Sequence, residues 1–121
     1  MATQTISDIT SILAKQRDFF ESNQSRDIDF RIEQLIKLKK AIKANENNIY
    51  EALSADFKKS QFETYATEIG VLYEEISCML KNIKKWATPQ LVTDTIANFP
   101  SRDYIYNDPY GVCLIIGAWN Y

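Results

Sequence analysis

Val112-Cys113-Leu114-Ile115-Ile116-Gly117-Ala118-Trp119-Asn120-Tyr121 are the last ten residues of the chain. Val112 to Ile116 is apolar without alternation, the pattern of a strand buried on both faces. Just upstream, Asp103-Tyr104-Ile105-Tyr106-Asn107 reads as a short strand. Between them Asp108-Pro109-Tyr110-Gly111 has turn chemistry: Pro109 sets φ and Gly111 tolerates φ above zero. The segment 103–121 therefore predicts a hairpin leading into a buried strand. Such a strand needs neighbours and cover on both sides, and the upstream residues offer at most one partner strand. The pattern predicts a chain cut in the middle of a core. At the end of the strand, the Gly117-Ala118 pair lets another group approach the backbone. Open α/β sheets place ligands at that carboxyl end. The Asn120 amide, which follows, donates two hydrogen bonds without carrying charge. The residues themselves leave two readings open, a ligand site or an ordinary strand exit capped by Asn120.

Working back towards the N-terminus, the pattern turns helical before Trp86. A first helix is predicted from about Ser7 to Asn23, with Ile6, Ile9, Leu13 and Phe20 at helical spacing and Ser7 and Asp8 suited to its start. A second is predicted from about Ile28 to Ala44. Asp27 and Asp29 sit at its positive end, and Lys37, Lys39, Lys40 and Lys43 crowd its negative end. Asn45 breaks or caps it, and a further turn or two carries Ile49, Leu53 and Phe57. The third opens on the capping box Ser60-Gln61-Phe62-Glu63. Its stripe is Phe62, Ala66, Ile69, Tyr73, Ile76, Leu80 and Ile83. Trp86 closes it and Pro89 stops it. Residues 1–87 are thus a helical region, 88–102 a connecting loop with Pro89 and Pro100, and 103–121 the hairpin and buried strand. The fold class is mainly α: three long helices plus a short hairpin or strand.

Length and composition bound the function. The 121 residues suffice for one modest domain, and 45% hydrophobic with 25% charged residues is ordinary for a globular protein. A net charge of −2 argues against nucleic acid or an anionic membrane as partner. No apolar run reaches membrane-span length, and the N-terminus lacks a signal-peptide pattern. Two cysteines do not make a disulfide framework, which points to a reducing, cytoplasmic setting. The absence of histidine excludes a Ser-His-Asp triad, a Cys-His pair and His-ligated zinc within the chain, and no metal site is expected.

Other candidates for chemistry have plainer readings. The run Lys37 to Lys43 reads as a solvated helix face, because acidic residues flank it and no aromatics interleave. Tyr104, Tyr106 and Tyr110 read as cover for a sheet face rather than a ligand platform. Cys78 falls off the main stripe in mid-helix, with Lys81 offset by Glu74 and Glu75. Cys113 reads as a small hydrophobe inside the strand. Neither resembles an activated nucleophile.

Pro109-Tyr110-Gly111-Val112 followed by Leu114-Ile115-Ile116-Gly117-Ala118-Trp119-Asn120-Tyr121 resembles a signature of aldehyde dehydrogenases, particularly the class-3-like branch. Arg31-Ile32-Glu33-Gln34-Leu35, Ala52-Leu53-Ser54-Ala55-Asp56, Glu68-Ile69 and Leu72-Tyr73-Glu74-Glu75-Ile76 extend the likeness over nearly the whole chain. The resemblance implies the start of an α/β, Rossmann-like dehydrogenase domain. It implies an enzyme that oxidises an aldehyde to a carboxylic acid with NAD or NADP through a cysteine thioester. Asn120 matches the family's asparagine that donates to the oxyanion, and Ile116, Ala118 and Trp119 match its segment along the cofactor near the nicotinamide ribose. The more common family pattern has proline where Ala118 stands. The family's nucleophilic cysteine, general-base glutamate and main phosphate-binding elements lie downstream of the matched segment. The 121 residues alone are therefore expected to be inactive, to bind no cofactor appreciably and to self-associate. The competing reading is a helical interaction module without catalysis.

Overall fold

The computed structural model describes residues 2–93 and 96–117. Helix α1 (Ala2–Glu21) ends at Asn23, whose φ of 63° lies in the left-handed region. A 3₁₀ turn (Gln24–Arg26) leads to α2 (Ile28–Ala44). The α2 boundaries follow from local chemistry. The Asp27 carboxylate accepts from the Phe30 backbone N–H at 2.8 Å, satisfying one of the unpaired donors of the first turn. At the other end Asn45 donates from its amide to the Ala41 carbonyl at 2.8 Å. Helix α3 (Glu46–Phe57) follows at once and stops at Lys58, where φ is +58°. The expected turn or two after Asn45 is thus a full helix of 12 residues. The first helix also begins earlier than the Ser7 start that its sequence suggests.

After Lys58 the chain forms one long rod, residues 61–87. It comprises α4 (Gln61–Thr64), a π-helical turn (Tyr65–Ile69) and α5 (Gly70–Ala87). The Ser60 hydroxyl accepts from the Glu63 N–H at 3.2 Å, as the capping box requires. The rod packs along α2 and, at its N-terminal end, against α3. The core lies on its inner face, where Thr64 and Ile69 are fully buried and Ile76 nearly so.

This corrects the predicted stripe in its first two members. Phe62 is 84% exposed and Ala66 is exposed too, while Thr64 is buried. The π turn is the cause. Within it the Gly70 N–H bonds back five residues to the Tyr65 carbonyl. One extra residue in the turn rotates everything before it by about 100° relative to α5, one helical step.

Beyond α5, β1 (Gln90–Val92) pairs antiparallel with β2 (Asp103–Ile105), in the register Gln90↔Ile105, Leu91↔Tyr104, Val92↔Asp103. A 3₁₀ turn (Ile96–Asn98) and a cis Phe99–Pro100 bond lie between them. The predicted strand near Asp103 is therefore present but has another partner. It pairs backwards with a strand inside the segment 88–102, which reads as loop. Residues 112–116 are in no ladder among the described residues, and Leu114, Ile115 and Ile116 are 84%, 90% and 76% exposed. A central strand takes its ladder from strands on either side, and local sequence cannot supply them. The described residues are otherwise as the fold class predicts: mainly helical, with α1, α2 and the 61–87 rod as the long helices and one short antiparallel strand pair.

Candidate functional site

The approach to the 112–120 segment is built by contacts on the helices. Asn107, just past β2, donates its side-chain amide to the Trp86 carbonyl at 2.8 Å, tying the returning chain to the end of α5. Asn107, Asp108 and Pro109 there line a cleft of ≈ 270 Å³ together with Arg31, Ile83, Trp86 and Ala87. The chain then turns at Gly111, whose φ is +94°, as its turn chemistry anticipates. A Cβ at that position would lie 3.6 Å from the Phe20 ring, so Gly111 rests on α1. The Arg26 guanidinium sits over the same ring, 5.6 Å from its centroid. From this anchor the backbone runs on through 117.

Of the four predicted site residues, Ile116 lies at the end of this run with its side chain open to solvent. Beside it a Cβ on Gly117 would meet nothing within 4 Å among the described residues, leaving room for a group to approach the backbone there. Ala118, Trp119 and Asn120 lie outside the described residues. Cys113 is exposed rather than buried in a strand, and its thiol donates to the Gly111 carbonyl at 3.7 Å. The correction has the same cause as for its neighbours: the strand that would enclose it has no partner among the described residues. Cys78 is exposed in mid-α5, and the Asn82 amide lies 3.6 Å from its sulfur.

The lysine run is absorbed into the helices. Lys37 pairs with Glu33 at 2.9 Å one turn back. Lys39 donates to the Ser77 hydroxyl at 2.9 Å and stands over the Tyr73 ring. The tyrosines divide: Tyr104 and Tyr106 pack tilted, ring centroids 6.3 Å apart, whereas Tyr110 is fully exposed. Among the described residues no cluster of His, Cys, Asp or Glu is placed to hold a metal, and no helix is long and apolar enough to cross a membrane.

A polar network between the helices is absent from the sequence reading. Tyr73 donates its phenol to the Glu46 carboxylate, and Ser77 donates to the Tyr73 carbonyl at 2.6 Å. With Lys39 this joins α2, the start of α3 and α5. Burial, the Glu46 hydrogen bond and the Glu46 charge push the Tyr73 phenol up to about 12. Burial and the Glu46 charge also raise Tyr50. The tyrosine inside an otherwise apolar stripe was the available signal, since a half-buried phenol takes a partner.

Comparison with known proteins gives a consistent result. A family model described as "Aldehyde dehydrogenase family" matches residues 1–121. The chain is 46% identical over 103 residues to the 4,4'-diaponeurosporen-aldehyde dehydrogenase of Staphylococcus aureus (strain NCTC 8325 / PS 47), a match covering 85% of this chain and 22% of that protein. It is 37% identical over 116 residues to the "Aldehyde dehydrogenase, dimeric NADP-preferring" of Canis lupus familiaris, covering 96% and 26%. A solved structure titled "Substrate bound state of Staphylococcus Aureus AldH" superposes with a TM-score of 0.82 at 41% identity, over 84% of this chain and 22% of that one. The chain thus spans 22% to 26% of the length of these relatives.

Proposed function

Because the chain belongs to the aldehyde dehydrogenase family, we propose that it forms the N-terminal part of an enzyme oxidising an aldehyde to a carboxylic acid with NAD or NADP through a cysteine thioester. The observation that carries this reading is the family match across all 121 residues, which takes in the Trp119-Asn120 segment. Asn120 is assigned the oxyanion-donor role. Charge grows on the aldehyde oxygen as the nucleophile adds, and a neutral amide held in place stabilises that charge more than it stabilises the substrate. Ile116, Ala118 and Trp119 are assigned to one wall of the cofactor site. The open apolar side chain of Ile116 and the absence of any described residue within 4 Å of a Cβ at Gly117 accord with a flat ring and ribose lying along the backbone. When bound, the nicotinamide supplies the hydride acceptor. This chain's residues orient it and shield one face from water.

The reading extends to assembly and setting. A homo-oligomer accords with the exposed apolar run 114–116, and a reducing cytoplasm accords with two exposed free thiols. The nucleophile is assigned to a cysteine beyond these residues, since among the described residues Cys78 has the Asn82 amide rather than a cation beside its sulfur and Cys113 faces solvent beside a backbone carbonyl.

The test is Asn120→Ala in the full-length enzyme. It should lower kcat on the order of 10²–10³-fold, the usual loss for one oxyanion donor, with a smaller change in KM. A variant with near-normal kcat, in an enzyme whose chemical step limits turnover, removes Asn120 from that role. The 121 residues alone should form no NADH or NADPH with any of a panel of aldehydes, because one wall and one donor do not complete a site. Turnover by the pure chain would overturn that.

A further inference from the structure

The π turn at Tyr65–Ile69 decides which residue is buried beneath α3. Residues five apart in an α-helix point about 140° away from each other. Thr64 and Ile69 are five apart, yet both are fully buried on one face. The π turn makes this possible by placing one extra residue between them. The arrangement carries two visible costs. The Thr64 hydroxyl is buried with no hydrogen-bond partner, and Phe62 stands 84% exposed. A regular α-helix would relieve both. Giving back one residue step would turn 61–65 by about 100° relative to α5, releasing the Thr64 hydroxyl and bringing Phe62 and Ala66 onto the line of Ile69 and Ile76.

Two features hold the present register. Gly70 is the first. A Cβ there would lie 2.8 Å from the Tyr65 carbonyl and 3.5 Å from the Tyr65 ring, so only glycine leaves room for the π hydrogen bond. Residue size is the second. In the α register Tyr65 takes the place of Thr64 beneath α3, and its ring is much larger than the threonine side chain. The Lys59–Glu68 bond of 2.8 Å, which spans the turn, would also part.

We infer that the 61–87 rod is a two-register switch: Gly70 latches the π register, and an all-α register, with Phe62 turned inward and Thr64 turned out, is its alternative. Opposed contributions of packing and polar satisfaction make such an element bistable rather than continuously deformable. The change would convert the outer face at the α3–α4 corner from apolar to polar and reseat α3.

Thiol accessibility reads the register directly. In the full 121-residue chain with Cys78→Ser and Cys113→Ser, single reporters are introduced as Phe62→Cys or Thr64→Cys and labelled with a mild alkylating agent. With Gly70 present, the reporter at 62 should react at least about tenfold faster than the one at 64, as exposure dictates. Gly70→Ala should reverse that order, because it removes the room for the latch. Tyr65→Val, which introduces neither a clash nor a hydroxyl, should reverse it as well by letting the α register seat beneath α3. If Gly70→Ala loses its helical circular dichroism, Tyr65→Val decides alone. An unchanged order in Tyr65→Val overturns the inference, and so does equal reactivity at 62 and 64 in the parent chain.

Discussion

Tyr73 shows how one side chain joins three helices and sets a pH window. Its phenol donates to Glu46 at the start of α3, its carbonyl accepts from Ser77, and its ring lies under Lys39 of α2. The phenol is raised from 10.0 to about 12 by burial and by Glu46, so the folded state favours the protonated form. The sign follows from linkage. A group whose pKa is raised on folding stabilises the fold fully below its unfolded value and loses that contribution as pH climbs through the folded one. Stability from Tyr73 should be intact below pH 10 and vanish between 10 and about 12. Urea midpoints measured across that range should fall less steeply for Tyr73→Phe than for the native chain. Parallel curves would show that another group is responsible. Gly111 is the other residue fixed by its backbone. A side chain there would have to adopt φ of +94° against Phe20, which is why the sequence turns at glycine.

The elements divide by how locally they are specified. Helix α2 begins and ends where Asp27 and Asn45 provide caps. The rod 61–87 starts at its capping serine, yet its buried face changes at the π turn. That change alters which substitutions matter. Ile76, 4% exposed, should cost about 2–5 kcal/mol when replaced by Ala, since a cavity replaces its contacts. Phe62→Ala, at a position 84% exposed, should fall within roughly 0.5 kcal/mol of zero. Denaturant unfolding of both variants provides the check. A larger loss at 62 than at 76 would place the stripe where simple periodicity puts it, and the described π turn would be wrong.

At the scale of the molecule, apolar surface is the dominant fact. Ile96, Phe99, Leu114, Ile115 and Ile116 are each at least 76% exposed. The single ladder among the described residues, β1 with β2, is a two-stranded ribbon, which is marginal in water without further cover. An exposed apolar segment with unpaired backbone groups is a template for a second copy. The isolated chain should therefore sediment as a dimer or larger species at tens of micromolar, and substituting lysine for Ile115 should shift it towards monomer. A folded monomer at that concentration would contradict the expectation. In the proposed enzyme the remaining chain would cover this surface, and Ile116 would keep only its cofactor-facing side open.

The sequence by itself determined that residues before Trp86 are helical, and it determined the ends of α2 and the start of the 61–87 rod, because caps, breakers and the 3.6-residue period act between residues a turn or less apart; the earlier start of α1 and the full length of α3 lay beyond those signals. Ile28–Ala44 could be read in full, as could the turn at Gly111. The role given to Asn120 also came from sequence, but only through resemblance, since a Gly-Ala pair and an amide serve a plain strand exit equally well. Tertiary structure decided what depends on distant partners. The strand at Asp103–Ile105 pairs with Gln90–Val92, inside a segment whose prolines and polar residues read as loop. Among the described residues, 112–116 stays outside any ladder because its apolar pattern states a need for neighbours without supplying them. Thr64 is buried in place of Phe62 because one extra residue in a single turn rotates a whole helix end, and no periodicity records it.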